Sequence, residues 1–157
     1  MPERPFALLR LGPSDVALLR GVNRLFGEVF DEPEEYAAAP PTDSYLQRRL
    51  AREDLLVLAA LADGAVVGAL VAYELAKLER ECREYYIYDL GVAAAYRRRG
   101  IASALIEAAR EIAAERGAHV LYIQAEAGDD RAIALYTRFA EARDIVHFEI
   151  TPAPRRH

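Results

Sequence analysis

One stretch constrains the fold more than any other: a strand, an arginine-rich turn, a helix opened by glycine, and a second strand. Glu84–Val92 is rich in tyrosine and isoleucine, residues that favour strands. Gly100–Arg116 keeps a helical period through Ile101, Leu105, Ile106, Ala109 and Ile112, and Gly117 stops it. Val120–Ala125 reads as a buried strand. Such a strand–helix–strand run is a crossover, which calls for parallel pairing and a sheet covered by helices.

The rest of the chain falls in around this unit. Leu55–Leu61 and Val66–Leu75 flank Ala62-Asp63-Gly64-Ala65, and Asp-Gly between apolar runs predicts a hairpin. Phe6–Leu11 reads as a first strand closed by Gly12-Pro13, after which Ser14 or Asp15 caps an amphipathic helix carrying Val16, Leu19, Val22, Leu25, Phe26 and Val29. The acidic, proline-bearing stretch Asp31–Pro41 reads as a loop, and Thr42 or Asp43 opens a short helix to about Arg52. Asp129 or Asp130 caps a helix through about Phe139, and Ile145–Ile150 reads as a last strand. The order β-α-α-β-β-β-α-β-α-β predicts one α/β domain over residues 1–157, a mixed and mostly antiparallel sheet flanked by about four helices.

Composition removes several function classes. The chain carries 25 acidic against 20 basic residues, a net charge of −5, where nucleic-acid binding needs a basic surface. The single cysteine, Cys82, cannot form an internal disulfide and suits a reducing compartment. No apolar run is long enough for a membrane span, and Met1-Pro2-Glu3-Arg4-Pro5 lacks the pattern of a secretory signal. A cytoplasmic protein without membrane or nucleic-acid partners is expected. No His, Cys and Asp cluster has metal-ligand spacing, so no metal is expected.

The chemistry lies where Asp89-Leu90-Gly91-Val92 runs into Arg97-Arg98-Arg99-Gly100-Ile101-Ala102. The first amides of a helix lack internal partners and sit at the positive end of its dipole, so this junction suits an anion. Gly100 and Ala102 lack bulk, so a pyrophosphate can come close, and the arginines add positive charge. Neither the dinucleotide fingerprint nor the P-loop pattern is present.

Arg-x-x-Gly-x-Ala after a strand resembles the acetyl-coenzyme A signature of the Gcn5-related N-acetyltransferases, the GNAT superfamily. Ala134-Leu135-Tyr136-Thr137-Arg138-Phe139 resembles the second motif of that superfamily, except that Phe139-Ala140 stands where Leu-Gly is usual. From about Leu8 to Ile150 the chain also resembles the class I aminoglycoside 3-N-acetyltransferases. The strings that carry this include Leu11-Gly12-Pro13, Leu25-Phe26-Gly27, Asp43-Ser44-Tyr45-Leu46 and Val66-Val67-Gly68-Ala69-Leu70. Tyr86-Ile87-Tyr88-Asp89-Leu90, Tyr122-Ile123-Gln124-Ala125, Gly128-Asp129-Asp130 and His147-Phe148 continue it. The resemblance implies acetyl transfer from acetyl-coenzyme A to the 3-amine of the 2-deoxystreptamine ring in gentamicin-type antibiotics such as sisomicin, by a homodimer.

Acetyl transfer from a thioester needs a neutral amine, a stabilised oxyanion, a proton for the departing thiolate, and positioning. No Ser-His-Asp or Cys-His set is evident, which favours direct attack by the amine. Asp89 is a carboxylate inside an apolar and aromatic strand, where a charge is costly without a partner. A cationic amine is one such partner and a structural arginine another, and the resemblance puts the proposed base at this position. Asp89 serves either as base or to orient the amine. Tyr136 is the expected acid. Leu90, Gly91 and Val92 are expected to supply amides to the oxyanion and the pantetheine arm, with a bulge at Gly91, while Arg97, Arg98, Arg99, Gly100, Ile101, Ala102 and Ser103 hold the cofactor phosphates. Beside Asp89, the substrate contacts expected are Glu126, Asp129, Asp130 and Glu149, with Asp31, Glu32, Glu34 and Glu35 as a further acidic group. The alternatives are an acetyltransferase for another small amine, such as a polyamine or lysine, and a non-catalytic module that binds acetyl-coenzyme A.

Overall fold

The structure, a computed structural model, describes residues 5–156. Residues 1–4, read above for a secretory signal, lie outside the described residues. The chain divides into two compact units, the first ending at Gln124 and the second starting at Ala125.

The first unit is built on a five-stranded sheet in the order β1-β2-β3-β4-β5: Ala7–Arg10, Leu55–Ala62, Ala65–Ala76, Arg83–Val92 and Ala118–Ile123. Only the β4–β5 pair is parallel. The hairpin between β2 and β3 turns on Asp63 and Gly64, both at positive φ (49° and 77°), which matches the twist of the flanking strands. Helix α4, Ile101–Glu115, makes the crossover from β4 to β5, and Gly117 at φ 76° releases the chain from it.

Helices α1, Val16–Val29, and α4 cover opposite faces of the sheet. A Cβ on Gly68 of β3 would lie 2.6 Å from Ile101 of α4, while one on Gly91 of β4 would lie 3.1 Å from Val29 of α1. Gly91 pairs with Ala69, the residue after Gly68, and neighbouring residues of a strand point to opposite faces. On the α1 face Leu19, Val22, Leu25 and Phe26 bury against Val57, Ala59, Ala69 and Val71.

Three expectations are corrected in this unit. Asp15 precedes α1 but its carboxylate accepts from Gly12 N–H (2.7 Å) and closes the turn instead of capping the helix. The stretch 31–41 is not all loop, because Pro33–Ala37 forms a short helix, α2, with its fixed-φ proline at the first turn. Strand β5 is only half-buried, since it borders the sheet with β4 as its one neighbour. Helix α3, Asp43–Leu50, starts as expected, with Thr42 Oγ1 accepting from Tyr45 N–H.

The second unit holds helix α5, Asp130–Thr137, whose cap Asp129 accepts from Ala132 N–H (3.1 Å). The expected strand Ile145–Ile150 does not form: residues 141–156 are neither helix nor strand. The apolar alternation there is real, but a strand also needs a neighbouring backbone, and Phe148 and Ile150 stand 78% and 90% exposed.

Candidate active site

A one-residue bulge decides which side chains share the site. Along β3 and β4, Val71 pairs with Asp89 but Ala72 pairs with Ile87, leaving Tyr88 as an extra residue. Without it Asp89 would point with Tyr85 and Ile87 to the α4 face. With it, Asp89 turns to the α1 face, beside Val71 and on the side of Tyr73 and Tyr86, which pair with each other. The bulge lies at Tyr88, not at Gly91 as expected. Gly91 stays paired with Ala69, and its missing side chain makes room for Phe26 and Val29.

Asp89 therefore sits at the border where the apolar packing under α1 gives way to tyrosines. Burial raises its carboxyl above the usual carboxylate range, and among the described residues it forms no ion pair. Among the described residues no arginine neutralises it. Its charge reaches several phenols: Tyr36 of α2 is pushed up to about 12 by burial, then by Asp89, Glu32 and Glu35. Burial and Asp89 also raise Tyr73, and burial, Tyr88, Tyr122 and Asp89 raise Tyr86. The unit thus gathers Asp89, Glu32 and Glu35 around one tyrosine, a concentration of negative charge suited to a cation. All four carboxylates of that stretch, Asp31, Glu32, Glu34 and Glu35, are themselves exposed.

Beside Asp89 the sheet opens. Pairing between β4 and β5 ends at Ile87 and Ile123, while β4 runs on to Val92. Ala93 donates to Val67 O (2.8 Å), so alternation turns the amides of Gly91 toward β3 and those of Leu90 and Val92 away from it. Those two donors face the side where β5 has stopped, where a strand-like backbone can pair with them.

The chain leaves β4 through one 3-10 turn, Ala94–Tyr96, and enters α4 through two left-handed residues, Arg98 (φ 63°) and Gly100 (φ 80°). A non-glycine residue held there is strained, a condition that clusters at ligand-binding turns. The first α4 bond runs from Ala104 N–H to Gly100 O (3.0 Å), so the amides of Ile101, Ala102 and Ser103 have no partner within the helix. A Cβ on Gly100 would meet nothing within 4 Å, leaving this helix start open to a phosphate group. Two arginines are braced: Arg97 Nε donates to Val92 O (3.3 Å), and the Arg99 guanidinium lies 5.0 Å from the Tyr96 ring centre. A recess of about 280 Å³ beside them is lined by Pro5, Phe6, Arg99, Gly100, Ser103, Ala104 and Glu107. A second recess, about 390 Å³, is bordered by Arg20, Arg24, Glu28 and Tyr36, with Arg20 paired to Asp43.

In the second unit, burial and the Asp129 carboxylate push the Tyr136 phenol up to about 12, so it keeps its proton at neutral pH. Asp129 is engaged as the α5 cap, and Glu126 and Asp130 are exposed. Glu149 lies on the unpaired stretch with its carboxylate 3.6 Å from His147 Nε2. The sequence reading passed over Tyr36, Tyr73, Tyr86, Tyr88 and Tyr122. The i, i+2 spacing of Tyr86 and Tyr88 was the available signal, but without the bulge it could not link them to Asp89.

A mixed sheet parted beside a helix start with unpartnered amides suits an acyl-coenzyme A ligand, and the comparison with known proteins shows the family. The chain belongs to the acetyltransferase (GNAT) family, whose model matches residues 21–140, and members of this family transfer an acetyl group from acetyl-coenzyme A. It is similar to HMB0005, an aminoglycoside acetyltransferase from an uncultured soil metagenomic sample: 44% identity, TM-score 0.92, covering 94% of this chain and 99% of that one. It is also similar to meta-AAC0020, an aminoglycoside acetyltransferase of like origin solved in complex with sisomicin: 29% identity, TM-score 0.87, covering 95% of this chain and 97% of the other. An uncharacterized N-acetyltransferase of Bacillus subtilis, YhfO, is 26% identical over 137 residues, 86% of this chain and 90% of its own length.

Proposed function

We propose that this acetyltransferase acts on aminoglycosides, transferring the acetyl group to the 3-amine of 2-deoxystreptamine compounds such as gentamicin and sisomicin. The observation that carries this reading is Asp89: a half-buried carboxylate with no ion pair among the described residues, set among tyrosines and beside the parted strands. A cationic amine satisfies it, and the likeness to two aminoglycoside acetyltransferases supports a polycationic acceptor.

Acetyl-coenzyme A supplies the thioester. The helix start at Gly100–Ser103, with Arg97, Arg98 and Arg99, holds its phosphates, and the Leu90 and Val92 amides pair with its pantetheine arm and acetyl oxygen. Asp89 binds the acceptor ammonium and takes a proton from it, directly or through a water, so that the amine attacks in its neutral form. Its raised pKa makes it a better base than an ordinary aspartate. Tyr136, protonated at neutral pH, gives its proton to the departing thiolate and is reprotonated by the second proton that the acylated nitrogen loses, directly or through water. The exposed carboxylates Glu126, Asp130 and Glu149 add negative potential for the remaining ammonium groups. The protein acts as a cytoplasmic homodimer, in which a second copy covers the apolar residues left exposed at Ile145, Val146, Phe148 and Ile150. Analytical ultracentrifugation tests this, and a monomer at micromolar concentration refutes it.

The activity is tested by thiol release from acetyl-coenzyme A with gentamicin, sisomicin, kanamycin, spermidine and a lysine peptide. Turnover confined to the gentamicin-like compounds is expected, with the acetylated position read by NMR. Turnover on spermidine or the peptide alone assigns another amine substrate. Cofactor binding with no turnover on any of the five makes the protein a binding module.

A further inference from the structure

Four tyrosine rings touch in an unbroken row from β3 across β4 to the edge strand β5. Tyr73 of β3 meets Tyr88 edge to face at 5.8 Å, Tyr88 meets Tyr86 edge to face at 5.5 Å, and Tyr86 stacks on Tyr122 of β5 at 4.8 Å. The Tyr86 hydroxyl donates to Gln124 Oε1 (2.9 Å), which fixes the ring at the middle of the row. The row continues on the α1 face beyond Val71 and Asp89, where the apolar packing of α1 stops. Structural packing does not account for Tyr88 and Tyr73, because they stay 62% and 44% exposed.

Asp89 by itself recognises any amine. A row of ring faces recognises shape as well. The face of a phenol is apolar yet carries negative potential, so it accepts both the C–H face of a saturated ring and an ammonium group projecting from it. A linear polyamine presents ammonium groups but no ring face. Exposed tyrosines of this kind also lose little entropy when they grip a ligand, having few rotatable bonds.

We infer that Tyr73, Tyr86 and Tyr88 bind a saturated ring of a polycationic acceptor next to Asp89 and set a preference for ring-bearing amines over linear ones. This rests on Asp89 receiving the acceptor amine, as proposed above. Of the three, Tyr88 has the most accessible face. The unpaired residue of the bulge beside Asp89 is thus also the residue that grips the ligand.

The test is calorimetric titration of the full chain, saturated with coenzyme A, with sisomicin and with spermidine. The variants are Tyr88→Leu, which keeps apolar area but loses the ring, Tyr88→Phe, which keeps the ring, and the double change Tyr73→Leu/Tyr88→Leu. Sisomicin affinity should fall about tenfold in Tyr88→Leu and further in the double variant, stay within about twofold in Tyr88→Phe, and spermidine affinity should hardly move. Equal sisomicin affinity in wild type, Tyr88→Leu and the double variant overturns the inference, as does a wild type that binds no ring-bearing polycation. The same samples with acetyl-coenzyme A separate the two readings. Tyr88-dependent binding of sisomicin without its acetylation refutes the proposed function and leaves the tyrosine row standing. Acetylation with an unchanged KM in both leucine variants does the reverse.

Discussion

Gly68 joins the sheet to the helix start proposed to hold the cofactor, and adding one methyl group there tests the connection. In Gly68→Ala the new Cβ would lie 2.6 Å from Ile101 Cγ2, with Ala60 Cβ and Gly91 O at 3.5 Å closing off retreat. Carbon atoms in contact need roughly 3.5–4.0 Å, so the first turn of α4 must withdraw by about 1 Å. Overpacking of this kind costs about 2 kcal/mol, which for a chain of this size lowers Tm by about 4–8 °C. The residue pushed back is the one that opens α4, and its amide is among the free donors at the helix start. Withdrawal of about 1 Å breaks a charge-assisted hydrogen bond to phosphate, and coenzyme A affinity should fall about tenfold or more. Differential scanning calorimetry reads the first effect and isothermal titration with coenzyme A the second. Ile101→Ala removes the colliding methyl group, so adding it to Gly68→Ala should recover much of the coenzyme A affinity even though Ile101→Ala alone destabilises the core. Wild-type Tm and coenzyme A affinity in Gly68→Ala would refute the claim that this close contact sets the position of the helix start.

Asp89→Asn should lower kcat by a factor of about 10² or more while coenzyme A affinity holds; wild-type turnover removes Asp89 from the chemistry. Because burial raises this carboxyl, its favourable contribution to stability is present at low pH and lost as pH rises through the raised value, so Asp89→Asn should match or exceed the wild-type Tm at neutral pH. For the same reason, the acidic limb of the kcat profile should lie above the ordinary aspartate range. Gly100→Val should abolish coenzyme A binding by forcing a β-branched residue out of φ 80° and rebuilding the turn, since its Cβ has open space around it; a normal dissociation constant sinks the assignment. Tyr136→Phe should slow transfer about tenfold or more with little change in acceptor KM, and full activity would reduce Tyr136 to packing. Glu74, 7% exposed, accepts from Arg116, Arg83 and the Tyr85 hydroxyl, and the Arg116 hydrogen bond holds its carboxyl below the usual range. Glu74→Gln should cost about 2 kcal/mol at neutral pH, less than a fully buried pair because both arginines reach solvent. That difference should vanish as pH falls through the lowered carboxyl value, and a Tm gap that persists in acid refutes it.

Features decided within a few residues were legible in the sequence. Asp63-Gly64 announced its hairpin, Thr42 its helix, and Gly117 the end of α4. The glycine-opened helix start after β4 was legible as well, because its unpartnered amides follow from the local chain alone. What escaped depends on pairs of segments. Ile145–Ile150 has the composition of a strand, but no strand forms without a partner backbone, and nothing in the six residues states whether one arrives. The bulge escaped for the same reason: an extra residue in β4 is defined only against β3, so counting by twos places Asp89 with Tyr85 and Ile87, on the wrong face. The tyrosines went unremarked as ligands because their relation to Asp89 depends on that count. Acidic residues were easier to nominate than to place. Glu32 and Glu35 approach the Tyr36 phenol near Asp89, while Asp129 spends its carboxylate on a helix cap.

The bulge at Tyr88 also divides β4 into two reading phases, so that insertions and deletions weigh more there than substitutions. Losing Tyr88, just before Asp89, would heal the bulge and exchange no faces, since Ile87 would still pair with Ala72 and Asp89 with Val71. Losing a residue after Asp89, with the end of β4 held in register against β3, would instead bring Tyr88 opposite Val71 and turn Asp89 toward α4. A loss of one residue on that side is thus a switch between an acceptor site and a buried carboxylate, available to drift or to an engineer without altering any residue type in the site.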